Sequence, residues 1–147
     1  MRLFHFVTIF SFLILDRLTK CFFQDSNSSF TSNLLTLKTF QNQSLFFWKI
    51  DQRFLVVFSL ITLTGLIVVL LKNKGKGKFL LTDGVLLILF GGMSNLFDRI
   101  FSGYVIDFIR VFFLPFFTFN LSDIMITAGC FLIAIYYLPT AGIRRKN

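Results

Sequence analysis

Seven acidic residues punctuate this chain, and every one is an aspartate. Asp16, Asp98, Asp107 and Asp123 stand in or beside apolar runs. An ionised group at such a place costs several kcal/mol unless it is paired or wetted, so each is a candidate for function. Two carboxylates brought together tend to share one proton, because close like charges resist joint ionisation. One then holds a water as general base while the other, protonated, polarises a carbonyl. Such hydrolysis needs neither a metal nor a nucleophilic side chain. The remaining residues suit both absences. No Cys/His cluster has metal-ligand spacing, and His5, the single histidine, reads as a packed or interfacial side chain. Cys21 and Cys130 lie far apart, each in an apolar run, and nothing calls for a disulfide between them.

Each acid also has a plainer reading. Asp16 and Lys20 are four residues apart on one helix face and could form a structural ion pair. Asp98-Arg99 at the end of an apolar run could be interfacial anchoring. Asp107 in a connecting segment means little alone, and Asp83, with lysines nearby, reads as structural. Asp123, one turn into an apolar helix beside Asn120, is harder to dismiss. What raises the functional odds is that several such groups converge at one depth.

The elements that must hold these acids are membrane spans. The hydrophobic content is 55%, with 23 Phe, in a chain of 147 residues, and the mean hydropathy is +0.76. That exceeds what a soluble domain carries, so lipid must cover much of the surface. A single domain over 1–147 is expected. Phe54 to Leu71 and Phe79 to Phe97 are each long enough to cross about 30 Å of hydrocarbon. Phe119 to Leu138 is a third run. Leu3 to Leu15 is too short by itself and must continue to about Phe23, which carries Asp16, Arg17 and Lys20 to the membrane. Four spans follow, at about 3–23, 54–71, 79–97 and 119–138. Ile100 to Phe117, with Asp107, Arg110 and Pro115, is expected to be re-entrant or interfacial. A cleavage box at Leu18-Thr19-Lys20-Cys21 is rejected, because Lys20 stands where a small residue is required.

The net charge of +8 then resolves into topology. Arg2, Lys72, Lys74, Lys76, Lys78, Arg144, Arg145 and Lys146 all fall on one side of a four-span chain, which the positive-inside rule makes the cytoplasm. Nucleic-acid binding is accordingly set aside. Asp16, Asp25, Asp51, Asp98, Asp107 and Asp123 map to the outer half, and only Asp83 sits near the inner end. The outer segment Gln24 to Arg53 includes Leu35-Thr36-Leu37-Lys38-Thr39-Phe40, a mixture that suits short strands, so a small outer sheet is expected. Trp48 and Lys49 fit an interfacial belt.

These residues resemble those of the lipoprotein signal peptidases, also called signal peptidase II, along the whole chain and in order. Asp16-Arg17-Leu18-Thr19-Lys20 resembles a D-x-x-[ST]-K element. Asn42 in Asn42-Gln43-Ser44-Leu45-Phe46-Phe47 resembles N-x-G-x-[AS]-F. Gly91-Gly92-Met93-Ser94-Asn95-Leu96-Phe97-Asp98-Arg99, followed by Gly103-Tyr104-Val105-Ile106-Asp107-Phe108, is similar to G-G-x-x-N-x-x-D-R…G-x-V-x-D-F. Phe119-Asn120-Leu121-Ser122-Asp123 is similar to F-N-x-[AS]-D.

The resemblance implies an aspartic endopeptidase with Asp107 and Asp123 as catalytic dyad and no cofactor. It would cut prolipoproteins just before a diacylglyceryl-modified cysteine. Asn95 and Arg99 would contact the substrate backbone or hold the site, and Asn42 would help grip the peptide. Asp16, Lys20, Asp98 and Asn120 would brace the pocket. The implied fold is mainly α, with four transmembrane helices, a small extracytoplasmic β-cradle and both termini cytoplasmic. The implied setting is the bacterial inner membrane, with the site near the outer face, lipid and lipid-modified prolipoproteins as partners, and a monomer as the working unit. Ser44, Leu45-Phe46 and Ser94 depart from the family pattern and put bulk near the presumed substrate groove. Two rivals are a small proton-coupled transporter relaying through Asp16, Asp98 and Asp123, and an assembly subunit without chemistry. One-sided acids and the lack of an internal repeat weigh against the transporter.

Overall fold

The computed structural model of the chain describes residues 2–26, 28–45, 48–49, 51–73, 78–114 and 116–138. The inner-loop residues Lys74 and Lys76, the tail Arg144-Arg145-Lys146, and Pro115 lie outside the described residues. So do Phe46 and Phe47, and the side chains of Ser44, Leu45, Trp48 and Lys49.

Four helices form the body: α1 Arg2–Ser26, α2 Gln52–Asn73, α3 Phe79–Ser102 and α4 Leu121–Tyr137. Their ends follow from local chemistry. Asp51 opens α2 by accepting the Arg53 N–H through its side chain at 2.8 Å. Gly103, at φ 76°, closes α3 in the left-handed conformation that glycine takes without steric cost. Asn120 opens α4 with a capping box, its side chain accepting from the Asp123 N–H while the Asp123 side chain accepts from the Asn120 N–H. α2 and α3 are long and apolar enough to cross a membrane, with mean hydropathies of 2.9 and 1.6 over their best windows. Only 11% of the α2 window is buried within the protein. Its exposed Phe54, Val57, Phe58, Ile61 and Leu71 therefore need an apolar medium around them.

The second layer is a four-stranded antiparallel sheet ordered β1-β2-β5-β6. Its strands are β1 Phe30–Thr31, β2 Leu35–Asn42, β5 Val105–Val111 and β6 Thr118–Phe119; β3 Ser44–Leu45 and β4 Trp48–Lys49 form a separate hairpin. The strand expected over Leu35–Phe40 is thus present and runs on to Asn42. Within Ile100–Phe117, expected to be re-entrant or interfacial, Ile100–Ser102 finish α3 and Val105–Val111 form an inner strand of the sheet. The alternation of β-branched and aromatic residues in Val105-Ile106-Asp107-Phe108-Ile109 favours the strand, and Val105, Ile106 and Phe108 are all buried. Phe119, read as the start of the last span, is likewise a strand residue, paired with Ile109.

Helices and sheet meet through specific contacts. The Phe23 ring stacks on Phe108 at 5.4 Å, and the Thr39 hydroxyl donates to the Phe23 carbonyl at 2.6 Å. Ile9, Leu63, Leu89, Phe90, Leu96 and Met125 form the apolar core between the helices. The α3–α4 crossing is tighter than side chains allow. A Cβ on Gly129 would come within 2.5 Å of the Gly84 carbonyl oxygen, and one on Gly91 within 2.6 Å of the Ser122 carbonyl oxygen.

These contacts give a paired prediction. Gly91→Ala and Gly129→Ala each lower stability by about 1–3 kcal/mol through overpacking against backbone. Gly65→Ala, where a Cβ meets nothing within 4 Å, leaves it equal or raises it by up to about 1 kcal/mol. Thermal unfolding in detergent micelles reads both; equal effects at the three positions would refute the close-crossing account.

Candidate active site

The centre of the polar interior is the ammonium of Lys20, fully buried on α1. Its Nζ lies 2.9 Å from Asp16 Oδ2, 2.8 Å from Asp98 Oδ2 and 3.0 Å from Asn95 Oδ1. Three N–H donors thus meet three acceptors, which is the full capacity of a lysine. The remaining lone pairs of the two carboxylates are also used. Asp16 accepts from the Ser94 and Ser122 hydroxyls, each at 2.6 Å, and from the Ser122 N–H at 2.9 Å. Asp98 accepts from the Ile106 N–H at 3.2 Å and pairs with the Arg17 guanidinium, which also lies 4.5 Å over the Phe97 ring. Two cations and two anions cancel, so this buried cluster is neutral and hydrogen-bonded, the condition under which buried charge is tolerable.

The expected Asp16–Lys20 pair is therefore present. Asp98 corrects the anchoring reading: it is buried and faces Arg17 and Lys20 on α1 rather than the interface. Asp83 also differs in detail, since its partner is His5, at 2.8 Å at the opposite end of the bundle. Arg17, Ser94, Ser122 and Thr118 are members of the polar interior that sequence reasoning did not single out. The signal available for Ser94 pointed elsewhere. It had been read as bulk beside a groove, whereas its hydroxyl is buried and donates to Asp16.

Above this cluster sit Asp107 and Asp123, one on β5 and one in the first turn of α4. Asn120 joins them. Its Nδ2 donates to Asp107 Oδ1 at 2.9 Å, its N–H donates to Asp123 Oδ2 at 3.1 Å, and its Oδ1 accepts from the Asp123 N–H at 2.9 Å. Asp107 Oδ2 accepts from Asn42 Nδ2 at 2.9 Å and from the Thr118 hydroxyl at 2.8 Å. Asn95 then links both layers: its Oδ1 accepts a hydrogen bond from Lys20 Nζ while its Nδ2 donates to Asp123 Oδ1 at 2.8 Å. Arg99, most of it buried, donates to the Asn95 carbonyl at 3.5 Å and lies within coulombic reach of Asp123, Asp98 and Asp107. The structure thus brings together all nine residues singled out from the sequence: Asp16, Lys20, Asn42, Asn95, Asp98, Arg99, Asp107, Asn120 and Asp123.

Burial pushes the Asp107 carboxyl above the usual carboxylate range, opposed by hydrogen bonds from Thr118, Asn42 and Asn120 and by the charge of Lys20. Among the described residues no group of three or more His, Cys, Asp or Glu could hold a metal ion. Cys21 and Cys130 are free. Two concavities flank the carboxylates. One, of about 510 Å³, is apolar and lined by Asp123, Phe119, Ile124, Thr127 and Phe131. The other, of about 540 Å³, is polar and includes Asn42 and Thr118, both bonded to Asp107.

Comparison with known proteins agrees across nearly the whole chain. Residues 8–139 match the sequence model of the family described as Signal peptidase (SPase) II. The lipoprotein signal peptidase of Caldicellulosiruptor bescii is 34% identical over 144 residues, covering 94% of this chain and 93% of that one. That of Clostridium novyi is 32% identical over 138 residues, covering 86% and 91%. The fold is shared with a bacterial membrane enzyme solved by the in meso method at 2.3 Å, with a TM-score of 0.85 at 22% identity, covering 97% of this chain and 92% of that one. A second such enzyme, solved at 1.9 Å, gives a TM-score of 0.77 at 24% identity, covering 89% and 90%.

The neutral cluster predicts a steep asymmetry between substitutions. Lys20→Met strips Asp16 of its cation, leaves one net buried negative charge and costs about 3–5 kcal/mol, whereas Ser94→Ala removes one donor from Asp16 and costs about 1 kcal/mol. Chemical unfolding in detergent ranks the two variants. A Lys20→Met protein as stable as the parent would overturn the central role given to the ammonium.

Proposed function

Given that the chain belongs to the signal peptidase II family, bacterial membrane proteases that remove signal peptides from lipoproteins, we propose that it is an aspartic endopeptidase with Asp107 and Asp123 as its catalytic pair. The observation that carries this is the pairing itself: two carboxylates from different elements, joined through Asn120 and set over an ionic cluster already neutral. Arg99 is a single further cation in coulombic reach of the pair, beside the lysine already paired below, so two ionised carboxylates would leave buried charge uncompensated. Sharing one proton relieves it.

In the proposed reaction the substrate is a prolipoprotein held extended, with its scissile carbonyl between the two aspartates. The ionised member takes a proton from water as the oxygen attacks the carbonyl carbon, and the protonated member gives its proton to the carbonyl oxygen. Collapse of the tetrahedral intermediate breaks the C–N bond, and a proton passes to the departing nitrogen of the diacylglyceryl-modified cysteine. Signal peptide acid and free amine are released. Asn95 and Asn120 orient the pair, Arg99 and Asn42 hold substrate backbone once it displaces the present contacts, and Asp16, Lys20 and Asp98 fix the floor. The apolar concavity beside Asp123 suits acyl chains or the apolar signal segment.

The proposal extends to the setting. The chain is a single domain working as a monomer in the bacterial inner membrane, α1 and α4 crossing alongside α2 and α3, at about 3–23, 54–71, 79–97 and 119–138. Both termini are cytoplasmic, and the sheet and the aspartates lie at the outer face. This is supported by the basic residues of the inner loop and tail and by the apolar exposure of the helices.

A gel-shift cleavage assay with purified protein in detergent and a lipid-modified prolipoprotein tests the chemistry. Asp107→Asn and Asp123→Asn are expected to lose at least about 10²–10⁴-fold in rate while keeping the parent's melting profile; a folded, active variant would sink the assignment. Dependence on pH supplies an independent check. The Thr118 hydroxyl donates to Asp107 and so favours its charged form; removing that bond in Thr118→Val raises the Asp107 pKa. The rate–pH profile should move to higher pH, and movement to lower pH would contradict the role of Asp107.

A further inference from the structure

The polar concavity on the sheet carries a feature that cleavage at the aspartates does not explain. Beyond Asn42 and Thr118 it is lined by Lys38, Gln41, Arg110 and Phe116. Arg110 lies 4.0 Å over the Phe40 ring, with Lys38 over the same ring at 5.2 Å. Two cations thus share one aromatic ring. Among the described residues neither has a carboxylate partner within ion-pair distance. The Arg110 Nε is buried and meets no hydrogen-bond acceptor. An arginine so placed is a costly arrangement unless something else supplies an acceptor, because a buried, unsatisfied donor forfeits its hydration.

We propose that Lys38 and Arg110 form a carboxylate-binding subsite for the mature segment of the substrate, selecting acidic side chains shortly after the lipidated cysteine. This rests on the peptidase reading above. Three observations point to a peptide. The concavity begins at Asn42 and Thr118, the residues that bond Asp107, so a chain leaving the aspartates passes directly into it. Its lining is polar, whereas the apolar concavity lies on the Asp123 side, which sorts a hydrophilic mature segment from the apolar signal and acyl chains. Arg110 stands three residues along β5 from Asp107, a strand distance of roughly 10 Å, which an extended substrate covers in about three residues. The acidic position is therefore among residues 2 to 4 of the mature chain. Arg presents a fork of donors that matches a carboxylate, and Lys38 adds a second charge.

The test is cleavage of diacylglyceryl-modified prolipoprotein peptides carrying Asp, Asn or Lys at mature positions 2 to 4. The parent protein is expected to prefer Asp over Lys by about tenfold in kcat/KM, the difference lying mainly in KM. Arg110→Gln should bring that ratio to within about twofold, and Arg110→Glu should invert it. Lys38→Glu, a change at an exposed position, repeats the inversion in weaker form should the Arg110 variants fold poorly. Ratios unchanged across all variants would overturn the subsite. Loss of activity that depends on anionic phospholipid in the micelle, without any change in peptide preference, would overturn it in favour of a headgroup contact. If the parent cleaves none of the peptides, the catalytic reading fails, and binding of the same peptides in fluorescence anisotropy decides the subsite separately. Arg110-dependent tighter binding of the Asp peptide upholds it, and equal binding of Asp and Lys peptides removes it.

Discussion

A single ammonium organises the interior of this protein. Lys20 carries its charge to a place with no exposure at all, and it is tolerated there because each of its three protons has an acceptor. Once that charge is fixed, much of the surrounding architecture is obligatory. Asp16 and Asp98 must both be present, and their remaining lone pairs must find donors. Those donors come from every direction: Ser94 on α3, Ser122 on α4, Arg17 on α1 and the backbone of β5 at Ile106. The cluster therefore fastens helices and sheet to a common point. A purely apolar packing could hold the helices together, but it would fix their rotation and depth less strictly.

The aspartates above the cluster inherit this precision. Asn95 accepts the Lys20 hydrogen bond on its oxygen, which leaves its amide hydrogens for Asp123. Asn120 caps α4 and reaches Asp107 with the same side chain, so the start of the helix and the spacing of the carboxylates are set together. The glycine contacts between α3 and α4 complete the arrangement. With Gly84, Gly91 and Gly129 at the crossing, the backbones approach until carbonyl oxygens lie where a Cβ would otherwise be. Asp123 and Asn95, on opposite sides of that crossing, can then bond directly.

Much of this was legible in the sequence, for reasons that differ by element. The long helices follow from apolar runs that water cannot solvate, and the Asp16–Lys20 pair follows from helical spacing. The nine polar residues were legible chiefly because their motifs resemble those of a known family. The strand Val105–Val111 was obscured by its composition. Its apolar residues sit next to a long helix, and hydropathy does not separate a buried strand from an interfacial segment. For Asp98 the residues alone left interfacial anchoring open and only the resemblance assigned it to the pocket, because its partners Arg17 and Lys20 lie far off in sequence on α1. The bonds of Ser94 and Ser122 to Asp16 were not legible, because a serine in a helix carries no mark of what it will face. The partners of Arg17 and Asp83 are likewise tertiary facts, separated from them by 81 and 78 residues.

The bonds from Ser122 to Asp16 join residues 106 positions apart, one on the first helix and one on the last. This fixes an order of events during biosynthesis. While the ribosome is still extending the chain, α1 holds Asp16 and Lys20 without the hydroxyl and amide of Ser122, and Asp107 lacks the side chain of Asn120. The polar interior closes only after α4 has emerged and docked. A nascent chain is accordingly without a completed polar interior for most of its synthesis, and the docking of α4 is the step that completes it.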